Sequence, residues 1–154
     1  MRQDPRLQMI ENNMHQGVLA TYGFLGSDTR SLADVLQADQ IAVHDLGTDH
    51  RALATKMRSF TAAGLKALGV PVTVNRLYQV TVEEFKGSIP CPFGDNYQAR
   101  KVLTQVSNPT KTLYWSDLNL HMIEEHGFYE GIGARYRIDP RAIAELLEEE
   151  ADRR

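Results

Sequence analysis

An α+β fold is what this sequence predicts, and three observations carry the prediction. Apolar residues recur at helical spacing between capping signals from about residue 31 to 68. From Val72 the period falls to two, in a run rich in β-branched and aromatic residues. Helix signals return after Ser116 and again after Asp139-Pro140. Helices, then strands, then helices is segregation rather than the alternation that builds a parallel sheet.

The first element is a short peripheral helix over residues 5–14. Asp4-Pro5 supplies a capping carboxylate and a proline suited to the first turn, and Leu7, Ile10 and Met14 follow at near-helical spacing. Residues 17–26 are apolar but broken by three glycines, which fits either a buried irregular segment or a short strand.

Ser31 then caps a helix of about four turns. Its stripe is Leu32, Val35, Leu36, Val43 and Leu46, and Gly47 stands where a left-handed C-terminal cap belongs. Thr48 offers the next cap; Leu53, Met57, Phe60 and Leu68 form the following stripe, and Gly69 and Pro71 close it. The two helices make a hairpin hinged at Gly47.

Residues 72–115 are expected to form an antiparallel sheet of about three strands. The first places Tyr78, Val80 and Val82 on one face and Leu77, Gln79, Thr81 and Phe85 on the other. Lys101–Ser107 and Lys111–Trp115 flank the turn-forming Asn108-Pro109-Thr110, and Trp115 is expected to anchor the core. Ser116 starts a helix that Gly127 ends, and Asp139-Pro140 starts the last, with Ile143, Leu146 and Leu147 facing inward above a charged, solvated tail over residues 148–154.

Composition bounds the function classes. A chain of 154 residues fits one domain with a sizeable core, and 42% apolar against 24% charged residues is ordinary for a globular protein. A net charge of −3 argues against non-specific nucleic-acid binding, although Arg51, Lys56 and Arg58 share one helix. The single cysteine cannot form an intramolecular disulfide, and the amino terminus has no secretory pattern, so a cytoplasmic location is expected. No apolar run reaches the roughly 20 residues a membrane-spanning helix needs.

Chemistry concentrates in His121-Met122-Ile123-Glu124-Glu125-His126-Gly127 and in Ile89-Pro90-Cys91-Pro92. Imidazole, thiolate and carboxylate together suit a divalent metal such as zinc, so Cys91, His121, Glu125 and His126 are the expected ligands. His121 and Glu125, four apart, share a helix face; His126, five from His121, lies about 140° away and is expected to join only if the helix unwinds there. Neither HExxH nor a paired CxxC is present. The two prolines exclude the helix N-terminus that would activate Cys91 as a nucleophile.

Two further constellations carry polar chemistry. In the glycine-rich segment 127–137, Arg135 and Arg137 are expected to point the same way from an extended backbone and to bind an anion. His44-Asp45 and Asp49-His50 bracket Gly47 and read as turn chemistry.

The leading expectation is thus a small-molecule- or metal-binding domain, with metal-assisted hydrolysis as its chemistry, Glu125 serving as ligand or general base. Its pocket is expected where residues 87–97, 121–126 and 127–137 converge. The alternative is a non-catalytic interaction module or homo-oligomer docking through residues 17–26 and the first helix.

Overall fold

The computed structural model describes residues 3–152. Three helices lead the chain: α1 (Pro5–Asn13), α2 (Leu32–Asp45) and α3 (His50–Lys66). A sheet follows, of β1 (Val72–Val74), β2 (Tyr78–Pro90), β3 (Gln98–Ser107) and β4 (Thr112–Ser116), and then α4 (Asp117–His126) and α5 (Pro140–Asp152). The α+β class holds, and α4 and α5 are the two helices expected after the sheet.

The sheet has four strands rather than three, in the order β1-β2-β3-β4 with every neighbour antiparallel. The extra strand comes from dividing the run expected to be one: Val74 pairs with Tyr78 across a tight turn in which Asn75 and Arg76 have φ of 53° and 59°. Asparagine suits this left-handed conformation but arginine rarely adopts it, so the residue types signal only half of the turn. Strand β2 also runs on to Pro90, through an irregularity between Phe85 and Ser88 where Gly87 has φ 100°.

Local capping explains the helix limits. Asp4 accepts from the Arg6 N–H at 2.7 Å and Ser31 from that of Asp34 at 3.2 Å. The cap of α3 is Asp49, one residue past the expected Thr48; its extended backbone lets the carboxylate accept the Ala52 N–H at 2.8 Å. Ser116 and Asn119 cap α4 reciprocally, and Gly127 ends it in the left-handed conformation.

Tyr78, Val80 and Val82, with Val102, Val106 and Trp115, form the inward face of the sheet and pack against Leu53, Met57 and Phe60 of α3. Gly64 allows this close approach, because a Cβ there would run into the Val82 side chain. Trp115 is fully buried, and its Nε1–H donates to Thr61 Oγ1 at 3.0 Å, which in turn meets Thr104 Oγ1 at 2.7 Å. Phe85, by contrast, is 55% exposed. The charged tail at 148–154 lies partly outside the described residues, and Glu148 is exposed.

A second apolar cluster sets the stage for the site. Ile10 of α1 and Met14 just past its end, Phe24, Leu32 and Val35, and Leu118, Met122 and Phe128 close around Cys91 and Ala99. This core seats the chain leaving β2 against α4.

Candidate metal centre

Residues 91–97 form a closed loop between β2 and β3. The Cys91 N–H donates to the Tyr97 carbonyl at 2.9 Å, while Gly94 and Asn96 take φ of 74° and 64° to turn the chain. Asp95 Oδ1 accepts the Tyr97 N–H at 3.0 Å, a local carboxylate turn. Four alternate residues of the loop, Cys91, Phe93, Asp95 and Tyr97, thereby meet the C-terminal half of α4.

His121 and His126 direct their Nε2 atoms at one oxygen, Asp95 Oδ2, each at 2.7 Å. Tyr97 stacks on His121 with ring centroids 3.7 Å apart and planes 4° from parallel. Phe93 stacks on His126 at 4.0 Å and 5°. Phe93 also meets Phe128 edge-on at 5.5 Å, tying the stack to the second core. The loop therefore supplies both polar partners and the flat surfaces that fix the imidazole planes.

Ligand-capable atoms of Cys91, Asp95, His121 and His126 all lie within 4.8 Å of one another. The helix does not unwind to achieve this: α4 is regular through His126 and Gly127 caps it, its N–H reaching the Ile123 carbonyl at 3.1 Å. Long imidazole arms span the angular offset because their common target lies beside the helix end.

Electrostatics follow from the packing. Burial pushes the Cys91 thiol up to about 12; the backbone hydrogen bond at Phe93 opposes this, and the Asp95 carboxylate adds to it. An activated nucleophile is the opposite case. Burial also raises Asp95, but hydrogen bonds from His126, the Tyr97 N–H and His121 outweigh it and hold the carboxyl below the usual carboxylate range.

The remaining expected residues sit elsewhere. Glu125 is outside the four-residue group; its side chain is 47% exposed and lies 3.7 Å from Arg51. Arg58 meets Glu124 at 2.7 Å, so local carboxylates partner both arginines of that helix. Residues 131–138 form turns rather than a strand, and Arg135 and Arg137 diverge. Arg137 forks onto Asp39 at 2.8 and 3.0 Å and reaches the Glu130 carbonyl at 2.6 Å, whereas Arg135 lies over the Tyr22 ring.

The histidines at the helix hairpin also separate. His44 is exposed. His50 Nε2 faces Gln40 Oε1 at 2.5 Å and Nδ1 faces the Tyr129 hydroxyl at 2.9 Å, and burial lowers its pKa. Within 17–26, Phe24 and Leu25 are buried while Val18 and Tyr22 are each 54% exposed.

Sequence reasoning missed Asp95. The signal available was a carboxylate four residues after the cysteine in a segment rich in turn-formers, Pro92, Gly94 and Asn96, which fold the chain back and bring Asp95 beside Cys91. No helix among the described residues is long and apolar enough to cross a membrane. Comparison with protein-family models, curated proteins and solved structures finds no match.

Proposed function

We propose that this chain is a metal-binding domain that holds one zinc ion through Cys91 Sγ, Asp95 Oδ2, His121 Nε2 and His126 Nε2. The observation that carries the reading is the convergence of four donors of three kinds, from a loop and a helix, to within 4.8 Å of one another. Thiolate, carboxylate and two neutral imidazoles neutralise a dication and match the ligand types and number of a tetrahedral zinc site. The thiolate disfavours calcium and magnesium, which take oxygen ligands.

Bound there, the ion would clip the 91–97 loop to α4 across the edge of the second core, contributing its binding free energy to the fold. The stacked Tyr97 and Phe93 rings reduce what the imidazoles must give up to reach ligating geometry.

Zinc titration against a chromophoric chelator tests this. The expected result is one zinc per chain, with affinity falling at least tenfold in each of Cys91→Ser, Asp95→Ala, His121→Ala and His126→Ala and unchanged in Glu125→Ala. Retention of full affinity by both Cys91→Ser and Asp95→Ala, or its loss in Glu125→Ala, contradicts the assignment.

The exposure of Asp95 (28%) and His126 (21%) favours a second reading, metal-assisted hydrolysis. Water in place of Asp95 Oδ2 would leave three protein ligands, with Asp95 as the adjacent base. Turnover of activated esters or phosphodiesters by zinc-loaded protein, lost in Asp95→Ala, distinguishes it from the closed site.

A further inference from the structure

A cavity of about 590 Å³ lies between the 19–24 segment and the β2–β3 hairpin. That volume falls within the range of small-molecule sites. Its walls are mainly apolar, formed by Leu19, Phe24, Ile89 and Leu118, and none of the four metal-site residues lines it. The segments that carry its Phe24 and Glu130 walls are tied together just beyond it: the Gly131 N–H donates to the Phe24 carbonyl at 2.9 Å, the Ser27 N–H to the Ile132 carbonyl at 3.1 Å, and the Ile132 N–H to Asp28 at 3.0 Å. Gly131 has no room for a Cβ against the Leu25 backbone, so the two segments meet closely.

Charge at this cavity is uneven. Arg135, Lys101 and Arg100 line it, and Glu130 is its sole acidic lining residue. Arg100 is paired with Glu84. Arg135 has no carboxylate partner among the described residues; its guanidinium carbon lies 4.5 Å from the centre of the Tyr22 ring and 5.8 Å from that of Tyr136. A guanidinium over an aromatic face keeps its N–H edge free for the oxygens of a carboxylate or phosphate. Lys101 likewise has no ion-pair partner among the described residues.

Glu130 does not cancel this charge. It is 3% exposed and held with φ 71°; its Oε2 accepts from Asn119 Nδ2 at 2.6 Å and its Oε1 has no hydrogen-bond partner. Burial raises its pKa to about 8, so near neutral pH the carboxyl is mainly uncharged.

We propose that this cavity binds an organic anion with an apolar body, the body lying among Leu19, Phe24, Ile89 and Leu118 and the head on Arg135 and Lys101. The site is independent of the zinc reading. Carboxylates and phosphate monoesters share the required chemistry, and their relative affinities identify the natural head group.

Calorimetric titration of the full chain with decanoate, decyl phosphate and decanol tests the proposal, with and without added zinc. The expected result is saturable binding of at least one of the two anions, one per chain, and at least tenfold weaker binding of decanol. Arg135→Gln weakens the anion about tenfold at an unchanged melting temperature, and Lys101→Gln provides the same test from a second, exposed position. Tighter decanoate assigns a carboxylate and tighter decyl phosphate a phosphate. Equal binding of decanol and both anions, unaltered affinity in both variants, or no saturable binding of either anion overturns the proposal.

Discussion

Tyr97 lies flat on His121, ring centroids 3.7 Å apart, while its backbone carbonyl receives the Cys91 N–H that closes the loop. One residue thus sets the path of the segment that bears Cys91 and Asp95 and the plane of an imidazole on α4. Tyr97→Ala is expected to weaken zinc binding by about tenfold or more, the usual range for partners that orient a ligand. Tyr97→Phe is expected to retain it. Competition titration of both variants separates loss of the stacked ring from loss of the hydroxyl.

Gly127 is demanded twice. Its φ of 63° ends α4, and a Cβ there would lie 2.7 Å from His50 Nε2, on the ring that bridges Gln40 and Tyr129. Gly127→Ala should destabilise the fold by about 1–3 kcal/mol in urea unfolding, through backbone strain and displacement of His50.

Arg137 and Asp39 form a mostly buried forked pair, and Arg137 also holds the Glu130 carbonyl. Asp39→Asn should cost about 3 kcal/mol or more, because it leaves a guanidinium without its counter-charge. Arg137→Lys should recover little, since a point charge cannot reproduce the fork. Chemical denaturation of both variants checks this.

Glu130 gives a pH dependence of definite sign. Its folded pKa of about 8 lies above the ordinary value of 4.5, so between these pH values the folded chain holds a proton that the unfolded chain has released. Its contribution to stability is complete below the unfolded pKa and declines as pH rises through about 8. His50, with a lowered pKa, acts in the opposite sense around its ordinary titration range. Comparison with Glu130→Gln cancels that background: the difference between wild type and variant should shift against wild type by a few kcal/mol from pH 5 to 9. A pH-independent difference contradicts the assignment.

What was legible in the sequence was local. Asp4-Pro5, Ser31, Ser116 and Gly127 announce helix ends because their side chains or backbones satisfy groups within one turn. The division of β1 from β2 was half hidden because Asn75-Arg76 turns without glycine. Cys91, His121 and His126 were visible as metal-competent types, but their grouping with Asp95 depends on how a loop closes 26 and 31 residues away in sequence from the two histidines. Glu125 was favoured by helix spacing from His121, a rule that describes neighbours on α4 and carries no information about the loop beside it. The divergence of Arg135 and Arg137 has the same origin: Asp39 on α2 and Tyr22 draw them apart.

Cobalt substitution tests the central claim most directly, because its visible spectrum reports both coordination geometry and sulfur ligation. One equivalent of Co²⁺ added to the metal-free chain should give intense tetrahedral d–d bands and a thiolate-to-cobalt charge-transfer band, displaced by zinc. The charge-transfer band should vanish in Cys91→Ser. A weak octahedral spectrum with no thiolate band, or the same spectrum in Cys91→Ser, would contradict a zinc site built from Cys91, Asp95, His121 and His126.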